Sequence, residues 1–210
     1  MSIDTTEPAV AEHGARQGAK IINSVSLAAA RPLAEVARDH GCDLVLMHAR
    51  EMAAMTGFSE YPDEAYGDIV DDVCQEWSRA AAEATAVGLP RERLIFDPGL
   101  GFTKNARQSL TLSKRLGEVK ARLGVRILLG PSRKSYLGHA VARAIGGEPP
   151  PPRDRLGASI AAALDGAARG ADMLRVHDVR EVRQALAFAA SLGATDPIAE
   201  MPTAGEAGRV

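Results

Sequence analysis

Two cysteines, one tryptophan and an aromatic content of 4% are all that 210 residues offer of the side chains that staple or stack. Cys42 and Cys74 stand in unrelated contexts without CxxC spacing. That argues against a zinc knuckle or a disulfide framework and leaves both as small core residues, as a reducing compartment permits. So few aromatics argue against a stacking platform for nucleic-acid bases, and packing must rest on Ala, Leu, Val and Ile. An excess of one charge is also missing: 25 Lys plus Arg face 27 Asp plus Glu, for a formal net charge of -2. No basic field marks a polyanion partner, so any anion site must be local. No run approaches the roughly 18 consecutive apolar residues of a bilayer span. The opening MSIDTTEPAV has neither the basic start nor the apolar stretch of a secretory signal. The expectation is a cytoplasmic protein with no membrane or nucleic-acid partner.

What the chain does have is alternation. With 46% hydrophobic and 25% charged residues it can bury one sizeable core. Short apolar runs alternate with helix-period segments, the signature of parallel βα units. The strand candidates are Ser2–Thr5, Lys20–Val25, Asp43–His48, Arg93–Asp97, Arg126–Gly130 and Met173–His177. The clearest helix carries Ile69, Val73, Trp77, Ala80, Ala84 and Val87 at steps of three or four, behind an acidic first turn. A second is expected over Ala106–Leu123 with Leu112, Leu116, Val119 and Leu123 inward and Gly124 stopping it. A third, alanine-rich, is expected over Ala158–Arg169. The run GGEPPPP at 146–152 can be neither helix nor central strand and reads as an exposed loop. One domain over 1–194 is expected, with 195–210, where periodicity is lost, as a flexible tail.

Polar residues close every apolar run, at the end of the strand where parallel α/β proteins gather their chemistry. Asp4, Asn23, His48, Asp97, the group Ser132, Arg133 and Lys134, and the group Arg175, His177 and Asp178 occupy these positions. Each has a plain alternative: Asp4 as a helix cap, Asn23 as a partner for loop backbone, Asp178 as a cap for the helix after it. For His48 a hydrogen-bonded core histidine is the preferred reading. FDPGLGFTK at 96–104 is more specific, with glycines that let backbone approach a ligand, a carboxylate at its start and a cation at its end. GPSRKS at 130–135 turns from strand into helix, so its N–H groups and two cations can hold an anion, solvated surface lysine and arginine being the alternative. Arg175 and His177, two apart, share one face of a strand, an arrangement suited to a diphosphate.

SIDTTEPAVAEHGARQGAKIIN, LVLMH, FDPGLGFTK, GPSRKS and RLGASIAAALDGAARGADMLRVHDV, in this order over about residues 2–190, resemble the dihydropteroate synthase family. The resemblance implies a TIM (β/α)8-type barrel, here represented by six βα units corresponding to the family's third to eighth. It also implies condensation of 6-hydroxymethyl-7,8-dihydropterin diphosphate with 4-aminobenzoate, giving 7,8-dihydropteroate and diphosphate. Asp4, Asn23, Asp97 and Lys134 would then surround the pterin, with Met47, Phe102, Gly130 and Ser132 completing its pocket. Arg133, Lys134 and Ser135 would receive 4-aminobenzoate, and Arg175 and His177 the diphosphate. Lys134, Arg175 and His177 are the expected catalytic residues. A Mg2+ on the diphosphate is implied as well, with its Asn ligand in the family's first strand, which this chain does not contain. A homodimer through the C-terminal helices follows from the same likeness.

Two departures from the family pattern stand out: Ser24 follows Asn23 where Asp is usual, and the run AREMAAMTG after His48 lacks a glycine-proline turn. A start codon placed too late is the expected reason for the two missing βα units, ahead of a split or decayed chain. Six strands without those units would expose two sheet edges and the apolar interior between them. The alternatives are a non-catalytic pterin-binding remnant and a methyltetrahydrofolate-dependent methyltransferase.

Overall fold

The computed structural model describes residues 1–50 and 61–193. The run after His48 lies mostly, and the expected tail wholly, outside them. Six strands form one parallel sheet in chain order: β1 (Ser2–Asp4), β2 (Ile21–Ser24), β3 (Asp43–Met47), β4 (Leu94–Asp97), β5 (Arg126–Leu129) and β6 (Met173–Leu174). Helices fill the connections: α1 (Pro8–Arg16), α2 (Ala30–His40), α3 (Ile69–Ala86), α4 (Ala106–Lys114), α5 (Leu116–Leu123), α6 (Ser135–Ile145), α7 (Leu156–Ala168) and, after β6, α8 (Val179–Gly193). The sheet curls into an open barrel, as its first and last strand ends show: the Asp4 carboxylate meets the Arg175 guanidinium at 2.9 Å.

Register assigns each strand residue to a face. Asp4 pairs with Asn23, Asn23 with Val45, Val45 with Ile95, and Met47 with Asp97. Because side chains alternate along a strand, these residues line the concave face together. The opposite face carries Ile22, Leu44, Leu46, Leu94, Phe96, Ile127 and Leu129, which build the core against the helices. Trp77 of α3 is its largest member, set edge-on to Phe96 at 5.6 Å between ring centroids and donating its indole N–H to the Leu46 carbonyl at 3.1 Å. Both cysteines are buried thiols.

Local chemistry accounts for the helix ends. Asp68 caps α3 by accepting from the N–H groups of Val70 and Asp71, and Asn105 with Gln108 forms a capping box on α4. The single helix expected over 106–123 is instead two, broken at Arg115. Gly117 weakens helix propensity there, and the Arg115 guanidinium holds Glu118 and Asp68 at the bend. Leu112, Leu116, Val119 and Leu123 are still all buried. The last strand is also shorter than expected: β6 stops at Leu174, so Arg175 and His177 lie in the loop beyond it, although the Arg175 N–H still bonds the Leu129 carbonyl. The proline-rich run is exposed loop leading into a short helical turn, as expected. Among the described residues no helix is long and apolar enough to cross a membrane.

Candidate functional site

A cavity of about 470 Å³ opens at the carboxyl end of the sheet, lined by Asp4, Met47, Asp97, Phe102, Gly130, Ser132, Lys134, Arg175 and His177 among others. Nine of the twelve residues that the resemblance assigns to substrates thus line one cavity. Asp97 lies on the floor, 7% exposed, with its Oδ1 accepting from the Gly99 N–H at 2.8 Å. Burial pushes its carboxyl up, while that N–H and the charges of Lys134, Lys104 and Arg175 pull it down. Lys134 stands over the Phe102 ring, its Nζ 4.0 Å from the centroid, and burial draws its pKa below the usual lysine range. At the mouth are the exposed Arg175 and the loop residue His177, whose Nδ1 lies 3.0 Å from the Ser132 hydroxyl.

Asn23, Arg133 and Ser135 are not among the lining residues. Asn23 is buried in the row beside Asp4, and its Oδ1 has no hydrogen-bond partner. An unmet acceptor in the interior is costly unless a ligand donor completes it. Arg133 turns away to grip the Asp178 carboxylate at 2.7 and 3.2 Å, so Asp178, expected only as a cap, anchors this loop. The Arg133 backbone, at φ 59°, is held in the left-handed region by Ser159, which accepts its N–H, and by Arg155, which donates to its carbonyl. Ser135 opens α6. Ser24, the departure from the family pattern, closes a small turn with Ser26. At Gly130 a Cβ would meet Arg175 only at 3.9 Å, so the space beside it belongs to the cavity.

Behind the cavity lies a buried polar cluster that only His48 announced in sequence. Lys104, the cation that ends the 96–104 motif, is fully buried. Its Nζ lies within hydrogen-bond reach of the carbonyls of His48 (2.9 Å), Phe102 (3.1 Å) and Gly99 (3.4 Å) and of His48 Nδ1 (2.9 Å), more acceptors than its N–H groups can serve singly. Since the Glu76 carboxylate only accepts, His48 Nε2–H donates to it at 2.9 Å, which leaves Nδ1 as the acceptor facing Lys104. Burial and the Lys104 charge lower His48 to about 4, the His48 and Arg50 bonds hold Glu76 at about 2, and burial brings Lys104 to about 7. The preferred reading of His48 as a bonded core histidine is therefore met. The missed signal was Glu76, a carboxylate one step from Trp77 inside the apolar stripe of α3.

Among the described residues no group of three or more His, Cys, Asp or Glu side chains is placed to hold a metal ion.

Comparison with known proteins agrees with this geometry. The family described as "Pterin binding enzyme" matches residues 1–177. Dihydropteroate synthase of Synechocystis sp. is 37% identical over 88% of this chain and 60% of its own length. That of Mycobacterium leprae is 40% identical over 89% of this chain and 64% of its own. The chain thus spans under two thirds of the length of these curated relatives. Among solved structures, dihydropteroate synthase from Xanthomonas albilineans in complex with 7,8-dihydropteroate superposes with a TM-score of 0.78 at 31% identity, covering 92% of this chain and 67% of that one.

Proposed function

The chain belongs to the pterin-binding enzyme family, and from that premise we propose that its cavity is the pterin half of a dihydropteroate synthase site. The observation that carries the reading is the cavity's polarity from floor to mouth: the buried carboxylate of Asp97 below, Arg175 and His177 above. A dihydropterin has ring N–H and 2-amino donors for Asp97 and Asn23, and a ring face for Met47 and Phe102. Its diphosphate reaches toward the cationic mouth. Buried acceptors of this kind discriminate strongly, because a ring without those donors leaves them unpaired.

In the reaction the 4-aminobenzoate nitrogen attacks the pterin methylene, the carbon–oxygen bond breaks, and diphosphate leaves with the electron pair while the amine sheds a proton. Arg175 and His177 stabilise the departing charge, and Lys134 adds a cation beside the ring. Ser135, at the N-terminus of α6, is positioned in sequence to attract the aminobenzoate carboxylate, a role that Arg133, its guanidinium taken up by Asp178, does not share.

Calorimetric titration with 6-hydroxymethyl-7,8-dihydropterin diphosphate, beside an assay of diphosphate release on adding 4-aminobenzoate, tests the reading. Saturable binding with release supports it, binding without release marks a pterin-binding protein instead, and absence of binding at millimolar concentration sinks it. The implied homodimer draws support from Phe188 and Leu192, one helical turn apart on α8 and 65% and 69% exposed. Sedimentation of the protein and of its Phe188→Glu variant should show a dimer that the substitution dissociates.

A further inference from the structure

The loop that carries Gly99, Leu100 and Phe102 into the cavity does not hold itself. Thr103 sits at φ 45°, a left-handed conformation that a β-branched residue adopts only under constraint. Its carbonyl accepts from the Tyr66 hydroxyl at 3.0 Å, and its hydroxyl accepts from the Arg50 N–H at 3.0 Å. Gly99 presses on the segment after β3 so closely that a Cβ would stand 2.1 Å from the His48 carbonyl oxygen. Into that contact reaches Lys104, which bonds carbonyls on both sides of it, and nothing of Lys104 touches solvent or the cavity. Its own anchor, the His48 imidazole, is oriented by Glu76, which Arg50 grips in turn from above the Tyr66 ring.

We propose that Lys104 is a positioning residue: with His48 and Glu76 it ties the 97–104 loop to the end of β3 and so fixes the Gly99 N–H on Asp97 and the Phe102 ring beside Lys134. The loop's ligand rests on the pterin reading above; the clamp itself does not. Lys104 acts only through the carbonyls it holds. It is no part of the cation-lined mouth, so the two ends of the cavity should respond differently to its loss.

Two measurements on the whole protein test this. Hydrogen exchange at the amides of Gly99 and Phe102, which bond Asp97 Oδ1 and the Gly99 carbonyl, reads the loop without any ligand. Titration with 6-hydroxymethyl-7,8-dihydropterin diphosphate and, separately, with inorganic diphosphate reads the two ends of the cavity. Lys104→Met should speed both amides by about tenfold or more, as local opening frees them, and weaken the pterin ligand by about tenfold while diphosphate affinity stays within about twofold. Glu76→Gln, a milder change at a partly exposed residue, should act in the same direction by about threefold and covers the case in which Lys104→Met does not fold. Unchanged amide exchange overturns the clamp, as does an equal loss of both affinities or faster exchange with full pterin affinity. Should the unsubstituted protein bind no pterin, the functional reading fails, while the exchange rates still decide whether Lys104 holds the loop.

Discussion

Asp4, closing the first strand, and Arg175, just beyond the last, meet at 2.9 Å across the mouth of the cavity although 171 positions separate them. Their side chains are 51% and 62% exposed, so the pair contributes little to stability, under about 1 kcal/mol. Under the proposed function its weight falls on the ligand. Arg175→Met should leave the melting temperature nearly unchanged yet weaken 6-hydroxymethyl-7,8-dihydropterin diphosphate about 10- to 100-fold, the range for one charge-assisted hydrogen-bonding group. Binding of the corresponding alcohol, which has no diphosphate, should be unaffected in calorimetry.

Asp97→Asn separates recognition from folding. The amide oxygen can still accept from Gly99, and a buried charge is removed, so thermal unfolding should occur at an equal or higher temperature. Pterin affinity should nevertheless fall about 100-fold or more, since an amide presents a donor where the ring also donates. Retained affinity would remove Asp97 from the floor of the site.

Gly99→Ala meets two penalties at once: φ is 61°, and the new methyl would overlap the His48 carbonyl. Destabilisation by about 2 kcal/mol or more is expected in urea unfolding followed by the fluorescence of Trp77. A variant as stable as the original would show that this contact yields freely.

Acid should unfold the protein in two stages. His48 is lowered from 6.5 to about 4, so below pH 6.5 the unfolded chain binds a proton that the folded one refuses, and stability falls by about 1.4 kcal/mol per pH unit until about pH 4. Glu76, lowered from 4.5 to about 2, continues the loss from pH 4.5 downward. His48→Gln should flatten the slope between pH 4 and 6.5 and spare the lower one. Chemical denaturation at stepped pH reads both, and an unaltered upper slope would assign it to another group.

The strands and the cavity wall were legible because both follow from local pattern: a short apolar run, then a polar residue where the strand ends. Parallel pairing in chain order then brings Asp4, Asn23, Met47 and Asp97 onto one face without any long-range choice. The clamp was not legible for the opposite reason. Lys104 and His48 lie 56 residues apart, His48 and Glu76 28 apart, and no local rule says that a lysine ending a glycine-rich loop turns back beneath it. The break at Arg115 escaped similarly, since its partner Asp68 comes from a distant helix cap and the apolar spacing runs across the bend undisturbed.

A sheet whose strands pair only with their neighbours in the chain can be assembled in the order of synthesis, each βα unit docking on the one before, with small loops to close at every step. The cavity obeys a different clock. Asp4 is made 171 positions before Arg175, so the polypeptide can hold much of its core while emerging from the ribosome and still lack the pair that spans the mouth of its pocket. Closure of the mouth is therefore a late event, which waits for β6 and for Arg175 just behind it.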